Sequence, residues 1–162
     1  MANIRGTSKR DSIRGTRGRD KIQGFNGNDR ILGGASTDFI LGGKGNDIIF
    51  GGDGNDTLRG NANNDRLSGN AGIDSIRGGS ARDNLVGGGG RDRLDGGGGN
   101  DKLRGGSARD RLVGGSGRDR LDGGGGNDVI TTGGGRDRIV IRQRRDDVLI
   151  KVGNTNLLRL ED

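Results

Sequence analysis

The sequence predicts an all-β fold, a parallel β-roll in which short repeats coil into a rod. A nine-residue unit recurs fifteen times, without insertion or deletion, from Gly6 to Val140. Its sixth position is Asp and its eighth is Ile or Leu in all fifteen units. The 39 glycines and the 2% aromatic content would otherwise suggest disorder. Low complexity alone would not keep two positions in phase over this length, so a repeat fold is favoured.

Each unit divides into a turn and a strand. The first six residues are rich in Gly, Asn and Asp, which favour turns. The last three predict a very short strand whose central Ile or Leu points inward. One apolar residue in nine cannot be buried alone. Two units therefore form one coil of eighteen residues, and the coils stack about 4.8 Å apart as two facing parallel sheets.

The aspartates predict a bound cation. Alternate units turn at the same edge, so their carboxylates stack in columns and neighbours repel by about 3.5 kcal/mol at an effective dielectric constant of 20. Carboxylates and turn carbonyls are hard oxygen ligands that suit Ca²⁺, and binding would add folding free energy to a thin core. The absence of His and Cys excludes a Cys/His zinc site and most nucleophilic and acid–base machinery.

The units resemble the RTX (repeats-in-toxin) nonapeptide G-G-x-G-x-D-x-U-x, where U is apolar. The units Gly42–Phe50 and Gly51–Arg59 match it in full, and the resemblance covers about five-sixths of the chain. It implies a right-handed parallel β-roll, or β-solenoid, that binds Ca²⁺ between successive turns. It also implies type I export without a cleaved signal, folding outside the cell and a secreted protein. The expected metal ligands are Asp29, Asp47, Asp56, Asp92, Asp101, Asp119, Asp128 and Asp137.

The chain departs from the resemblance in its charge, because RTX repeats are usually acidic and this chain carries a formal charge of +6. The fifth position is Arg in seven units and Asn in six. Two interpretations stay open: Ca²⁺ fills the better turns, or Arg side chains pair with the Asp columns and give a calcium-independent structural or interaction solenoid. Non-Gly residues at the fourth position should make a left-handed turn costly. They are Lys9, Ser36, Asn63, Ala81 and Ala108.

The seventh and ninth positions are expected to face solvent. An apolar group among them predicts self-association or a protein partner, with scattered exposed apolar residues as the alternative. Phe39 and Leu41 would lie on one sheet, and Leu32, Ile48 and Phe50 on the other. Residues 82–145 hold fourteen Lys or Arg against nine Asp. Arg alternates there with Asp and aromatics are absent, so a solvated Arg–Asp surface is favoured over a polyanion site, and nucleic acid binding is unlikely.

The ends of the chain are expected to differ from the repeats. Residues 1–5 are a lead-in, residues 6–140 the roll, and residues 141–162 a hairpin that caps it. In that hairpin, Val148–Val152 and Leu157–Leu160 flank a turn at Gly153–Asn156. No distinct catalytic constellation interrupts the repeat, so the chain is not expected to be an enzyme. No apolar run is long enough to span a membrane.

Overall fold

The computed structural model describes residues 1–140, 149–152 and 155–156, and secondary structure within them is entirely β-strand. No membrane-spanning helix is found in these ranges. The strands are β1 (Ala2–Arg5), β2 (Ser12–Arg14), β3 (Asp20–Asn26), β4 (Arg30–Ala35), β5 (Phe39–Lys44), β6 (Ile48–Asp53), β7 (Thr57–Ala62), β8 (Arg66–Ala71), β9 (Ser75–Ser80), β10 (Asn84–Gly89), β11 (Arg93–Gly98), β12 (Lys102–Ser107), β13 (Arg111–Ser116), β14 (Arg120–Gly125), β15 (Val129–Gly134), β16 (Arg138–Val140), β17 (Leu149–Val152) and β18 (Thr155–Asn156).

The strands form two sheets. The odd-numbered strands and β18 make a ten-stranded sheet, and the even-numbered strands from β2 to β16 make an eight-stranded one. Within the repeats, neighbouring strands are parallel and offset by eighteen residues, so that Ile31 lies opposite Ile49. Two nonapeptides therefore complete one coil, and the predicted β-roll is confirmed.

The core is a double ladder of single aliphatic side chains. It consists of the eighth-position residues of the first fourteen units, all of them buried. Ile4 and Ile139 pack against its two ends and are only partly buried. The core residues are Ile13, Ile22, Ile31, Ile40, Ile49, Leu58, Leu67, Ile76, Leu85, Leu94, Leu103, Leu112, Leu121 and Ile130.

Most strands are longer than the sequence predicted, with six residues in place of three. Each begins at the seventh position and runs on through the third position of the next unit, as β5 does from Phe39 to Lys44. The ladder continues because the second-position residue also pairs: Gly43 lies opposite Asn61 with φ at +126°. Glycine reaches this φ without a steric penalty, so the chain stays paired past the end of the apolar segment.

Most of the non-Gly residues at the fourth position adopt the left-handed conformation that the sequence predicted for them. Ser36, Asn63, Ala81 and Ala108 occupy the fourth position with φ between 70° and 77°. Lys9 does not adopt a positive φ. The first turn is therefore built differently from those that follow it.

The C-terminal segment extends the ten-stranded sheet. Strand β17 pairs in parallel with β15, and β18 pairs antiparallel with β17, with Val152 opposite Thr155. Thr155 and Asn156 therefore lie in a strand and not in the predicted four-residue turn. Val148 and the second predicted strand, Leu157–Leu160, fall outside the described residues, and the capping role stays a prediction.

Candidate metal centre

The sixth-position aspartates point into the roll at its corners. From Asp20 to Asp128 their residues are at most 3% exposed, and Asp11 and Asp137 at the two ends are partly exposed. The carboxylates follow directly on the glycine-rich turns and precede the strands. This local arrangement places one carboxylate per unit between successive coils.

One oxygen of each carboxylate ties neighbouring coils together. Asp65 Oδ1 accepts the backbone N–H of Asp47 at 2.8 Å, and Asp83 Oδ1 accepts that of Asp65 at the same distance. The pattern runs from the Asp11 N–H, bound by Asp29, to the Asp119 N–H, bound by Asp137. The predicted columns are therefore present, with half of each carboxylate already used.

The second oxygen, Oδ2, is buried without a hydrogen-bond partner in most of the described turns. Leaving a buried polar atom unsatisfied costs about 1–3 kcal/mol, and more for a charged group. A continuous row of such atoms indicates a missing positive partner. They belong to Asp29, Asp38, Asp47, Asp56, Asp65, Asp74, Asp83, Asp92, Asp101, Asp110 and Asp119.

Glycine at the first position lets the carboxylate pack against the main chain. A Cβ on Gly60 would lie 2.8 Å from the Gly78 carbonyl oxygen and closer still to Asp65 Oδ2. Oxygens from two successive coils therefore lie beside this glycine. A side chain there would collide with the carboxylate itself.

Main-chain carbonyls supply further oxygens in the same turns. A Cβ on Gly45 would overlap the Gly27 carbonyl oxygen, and one on Gly43 would overlap that of Phe25. The carbonyls of the second and fourth positions therefore point along the roll towards the next coil. No three acidic side chains of the described residues converge on one point. A cation here would need main-chain oxygens as well as carboxylates, a mixed set of the kind Ca²⁺ accepts.

Burial disfavours the charged form of these carboxyls. It raises the pKa of Asp65 to about 8 and those of Asp83 and Asp110 to about 7. The pKa of Asp47 rises to about 6 for the same reason, although the Asp29 backbone N–H opposes the shift. A nearby cation would offset this cost of burying the ionised form.

The first two turns satisfy their own carboxylates. The Thr16 backbone N–H donates to Asp20 Oδ2 at 2.6 Å, and the Thr16 hydroxyl donates to the same oxygen at 2.9 Å. Thr7 makes the same two bonds to Asp11, at 2.6 and 3.0 Å. The bonds from Thr16 lower the pKa of Asp20. We call these two turns, residues 6–11 and 15–20, the threonine turns. Neither has an unsatisfied Oδ2 atom that could bind a metal.

Comparison with protein families identifies the repeat. The RTX calcium-binding nonapeptide repeat matches residues 5–40, 32–67, 41–76, 68–103, 77–111 and 104–139. The chain belongs to this family. The predicted resemblance is confirmed over nearly the whole roll, including the two threonine turns. No match is found among curated proteins.

All eight predicted ligands occupy the inward corner position of the RTX units. Six have the unsatisfied Oδ2, and Asp128 and Asp137 continue the same ladder through their Oδ1 atoms. Five further aspartates share the unsatisfied geometry and were not among the predicted ligands. The presence of Asp at the sixth position of every unit was sufficient to predict them. They are Asp38, Asp65, Asp74, Asp83 and Asp110.

Among the described residues, no arginine pairs with the corner aspartates from Asp11 to Asp119. Among the described residues the ion pair within 4.0 Å is Arg77 with Asp95, at 3.9 Å, and both lie at outward-facing ninth positions. No described Lys or Arg pairs with the corner aspartates from Asp11 to Asp119. The contacts that a calcium-independent Arg–Asp solenoid requires are therefore not found there.

The predicted apolar contact residues lie on the two sheets as expected. Arg59 stacks over the Phe39 ring at 5.8 Å, and Arg30 stacks over Phe50 at 5.3 Å. These cations cover part of each ring, and self-association stays a prediction. The five residues, all half-buried, are Leu32, Phe39, Leu41, Ile48 and Phe50.

Proposed function

We propose that this chain is a calcium-binding β-roll whose coils become stable when Ca²⁺ occupies its glycine turns. The supporting observation is the row of buried Oδ2 atoms that lack a partner. Ca²⁺ takes six to eight oxygen ligands in flexible geometry, which suits carboxylates combined with turn carbonyls. The proposed carboxylate ligands are Asp29, Asp38, Asp47, Asp56, Asp65, Asp74, Asp83, Asp92, Asp101, Asp110, Asp119, Asp128 and Asp137.

Folding is proposed to depend on the metal. The core contains one Ile or Leu for every nine residues, and its burial offsets only part of the conformational entropy of the chain. Each turn from Asp29 to Asp119 also holds a carboxyl whose ionisation is disfavoured by burial. Ca²⁺ would remove that penalty and link successive coils, so its binding free energy becomes folding free energy.

The proposed setting is outside the cell. Extracellular Ca²⁺ modules work with dissociation constants of about 10⁻⁴–10⁻³ M, and a chain of this kind would stay unfolded at low calcium. Secretion through a type I system rests on family likeness. We assign the chain a binding and structural role and not an enzymatic one, since its carboxylates recur uniformly along the roll.

Circular dichroism in the far ultraviolet tests this proposal. The full chain is placed in EDTA and titrated with Ca²⁺, with Mg²⁺ as the control because it demands near-ideal octahedral geometry. We expect a disordered spectrum in EDTA that becomes a β-sheet spectrum with Ca²⁺ and not with Mg²⁺. A β-sheet spectrum in EDTA that Ca²⁺ does not change would overturn the proposal and favour the calcium-independent solenoid.

A further inference from the structure

Burial of the corner aspartates leaves the outside of the roll strongly basic. Residues 1–140 contain 23 Lys or Arg and 18 Asp. Fifteen of those aspartates are the inward corner residues, so only Asp53, Asp95 and Asp122 lie elsewhere. Of the expected pairing between outward Arg residues and nearby Asp, the described residues from 1 to 119 show Arg77 with Asp95. Sequence neighbours in an extended chain point to opposite sides, and the acids point inward.

The cations form a regular ladder on the eight-stranded sheet. Lys102, Arg120 and Arg138 lie directly opposite one another on β12, β14 and β16, about 4.8 Å apart along the roll. Arg118 and Arg136, exposed at the adjoining turns, each precede a ladder residue by two positions. We name these five residues the basic ladder. Like charges placed opposite each other in a sheet repel, so the basic ladder favours a bound counter-charge.

The acids beside the basic ladder do not neutralise it. Asp122 lies opposite Arg104 and Val140 in the ninth-position column, with a 5% exposed residue surface. Asp122 and the partly exposed Asp137 offer two carboxylates beside five cations. The corner aspartates Asp101 and Asp119 are buried, and Asp119 Oδ1 is bound to the backbone N–H of Asp101. The positive potential of this face therefore extends into solvent.

We infer that the basic ladder binds a linear acidic polysaccharide laid along the axis of the roll. One seventh-position cation per coil gives a straight row, which a polymer with one carboxylate or sulfate on each sugar can follow. Binding would release counterions from the polymer and weaken with salt. Single-stranded nucleic acid fits less well, because it binds partly by stacking on aromatic rings. The three aromatic residues of the chain, Phe25, Phe39 and Phe50, all precede the ladder.

Binding to heparin and to polygalacturonate tests the inference, with neutral dextran and single-stranded DNA of equal charge as comparisons. The full chain is used in saturating Ca²⁺, with its fold checked by circular dichroism. The ladder variant is K102N/R120N/R138N, since Asn84 already occupies this column. The matched control is K9S/R17S/K44S, which removes three exposed cations elsewhere on the roll.

We expect the wild-type chain to bind at least one acidic polysaccharide, with an affinity that falls as NaCl increases, and not to bind dextran. The ladder variant should lose roughly tenfold to a hundredfold more affinity than the control variant. Equal losses in the two variants, or tighter binding to DNA than to either polysaccharide, would overturn the inference. If the ladder variant fails to fold, R118N/R136N replaces it, because Asn is common at the fifth position. Ca²⁺ binding is measured in a separate titration. A chain that does not bind polysaccharide would therefore leave the calcium proposal unaffected.

Discussion

The first two turns and the glycine turns that follow solve the same electrostatic problem in different ways. In the second turn, Thr16 gives its N–H and its hydroxyl to Asp20, and both carboxylate oxygens have partners within the protein. In the seventh unit, Asp65 has one bonded oxygen and one buried oxygen with none. Thr16 at the second position therefore supplies the donors that complete the second turn, whereas the seventh unit leaves one carboxylate oxygen of Asp65 without a partner.

This difference also appears in the backbone. The fourth-position Gly45 has φ of +124° and lies against the carbonyl of the previous coil, whereas Gly18 is not left-handed and has open space beside it. The glycine turns therefore bring the carbonyl oxygens of one coil close to the glycines of the next. The threonine turns gain local hydrogen bonds instead.

The largest predicted effect is that of pH on the metal-free roll, since many carboxyls contribute together. A carboxyl whose pKa is raised on folding, as for Asp65 and Asp83, stabilises the fold fully below the unfolded value of 3.8 and loses that contribution as pH rises through its folded pKa. In EDTA, the β-sheet signal in circular dichroism should be highest near pH 4 and be lost as pH rises from 4 to 8.

Saturating Ca²⁺ should prevent this loss, and Ca²⁺ binding near neutral pH should release protons. Asp20 behaves oppositely, because a carboxyl with a lowered pKa stabilises the fold above its unfolded value and loses that contribution on acidification. A metal-free circular dichroism spectrum that does not change between pH 4 and 8 would contradict this account of the glycine turns.

Replacement of single carboxylates gives a smaller effect that separates the two kinds of turn. D65N removes a proposed ligand and should reduce the number of Ca²⁺ ions bound, as counted by equilibrium dialysis. D20N should leave that number unchanged and lower stability by about 1–2 kcal/mol, because Asn cannot accept both backbone N–H bonds at Asp20. If both variants lost the same number of bound Ca²⁺ ions, the proposed difference between the glycine and threonine turns would be contradicted.

The smallest predicted effect concerns glycine at the fourth position. G45A should destabilise the calcium-loaded roll by about 1–2 kcal/mol, because Ala must adopt a left-handed conformation there. G18A should be neutral or stabilising by about 0.4–1 kcal/mol, since its Cβ would meet only the Thr16 hydroxyl at 3.8 Å. Urea unfolding compares the two variants, and a larger loss for G18A would refute the difference in turn geometry.

The repeat period made the sheets, the core ladder and the aspartate columns predictable. Because successive coils are offset by eighteen residues, Asp47, Asp65 and Asp83 lie one above another at the same corner. The full length of the strands was not predicted, because glycines such as Gly43 are typical of turns. In the structure Gly43 has a φ of +126° and still pairs with the neighbouring strand. The threonine turns were not predicted, because Thr16 can donate to Asp20 only if its hydroxyl points towards the carboxylate. That orientation depends on the three-dimensional structure of the turn.

The outward cations were also misjudged from the sequence. Arg118 and Asp119 are neighbours in the chain, which suggested mutual pairing. In the fold the aspartate is buried and the arginine is exposed. Both residues precede β14, which begins at Arg120, so the conformation of the turn sets the direction of each side chain.

The most direct test of the central claim is anomalous diffraction from crystals grown in Ca²⁺. The unsatisfied Oδ2 atoms predict calcium peaks beside the glycine-turn carboxylates, such as Asp47 and Asp65, and none beside Asp11 and Asp20. Peaks beside the threonine-turn carboxylates, or their absence from the glycine turns of a folded crystal, would contradict the account.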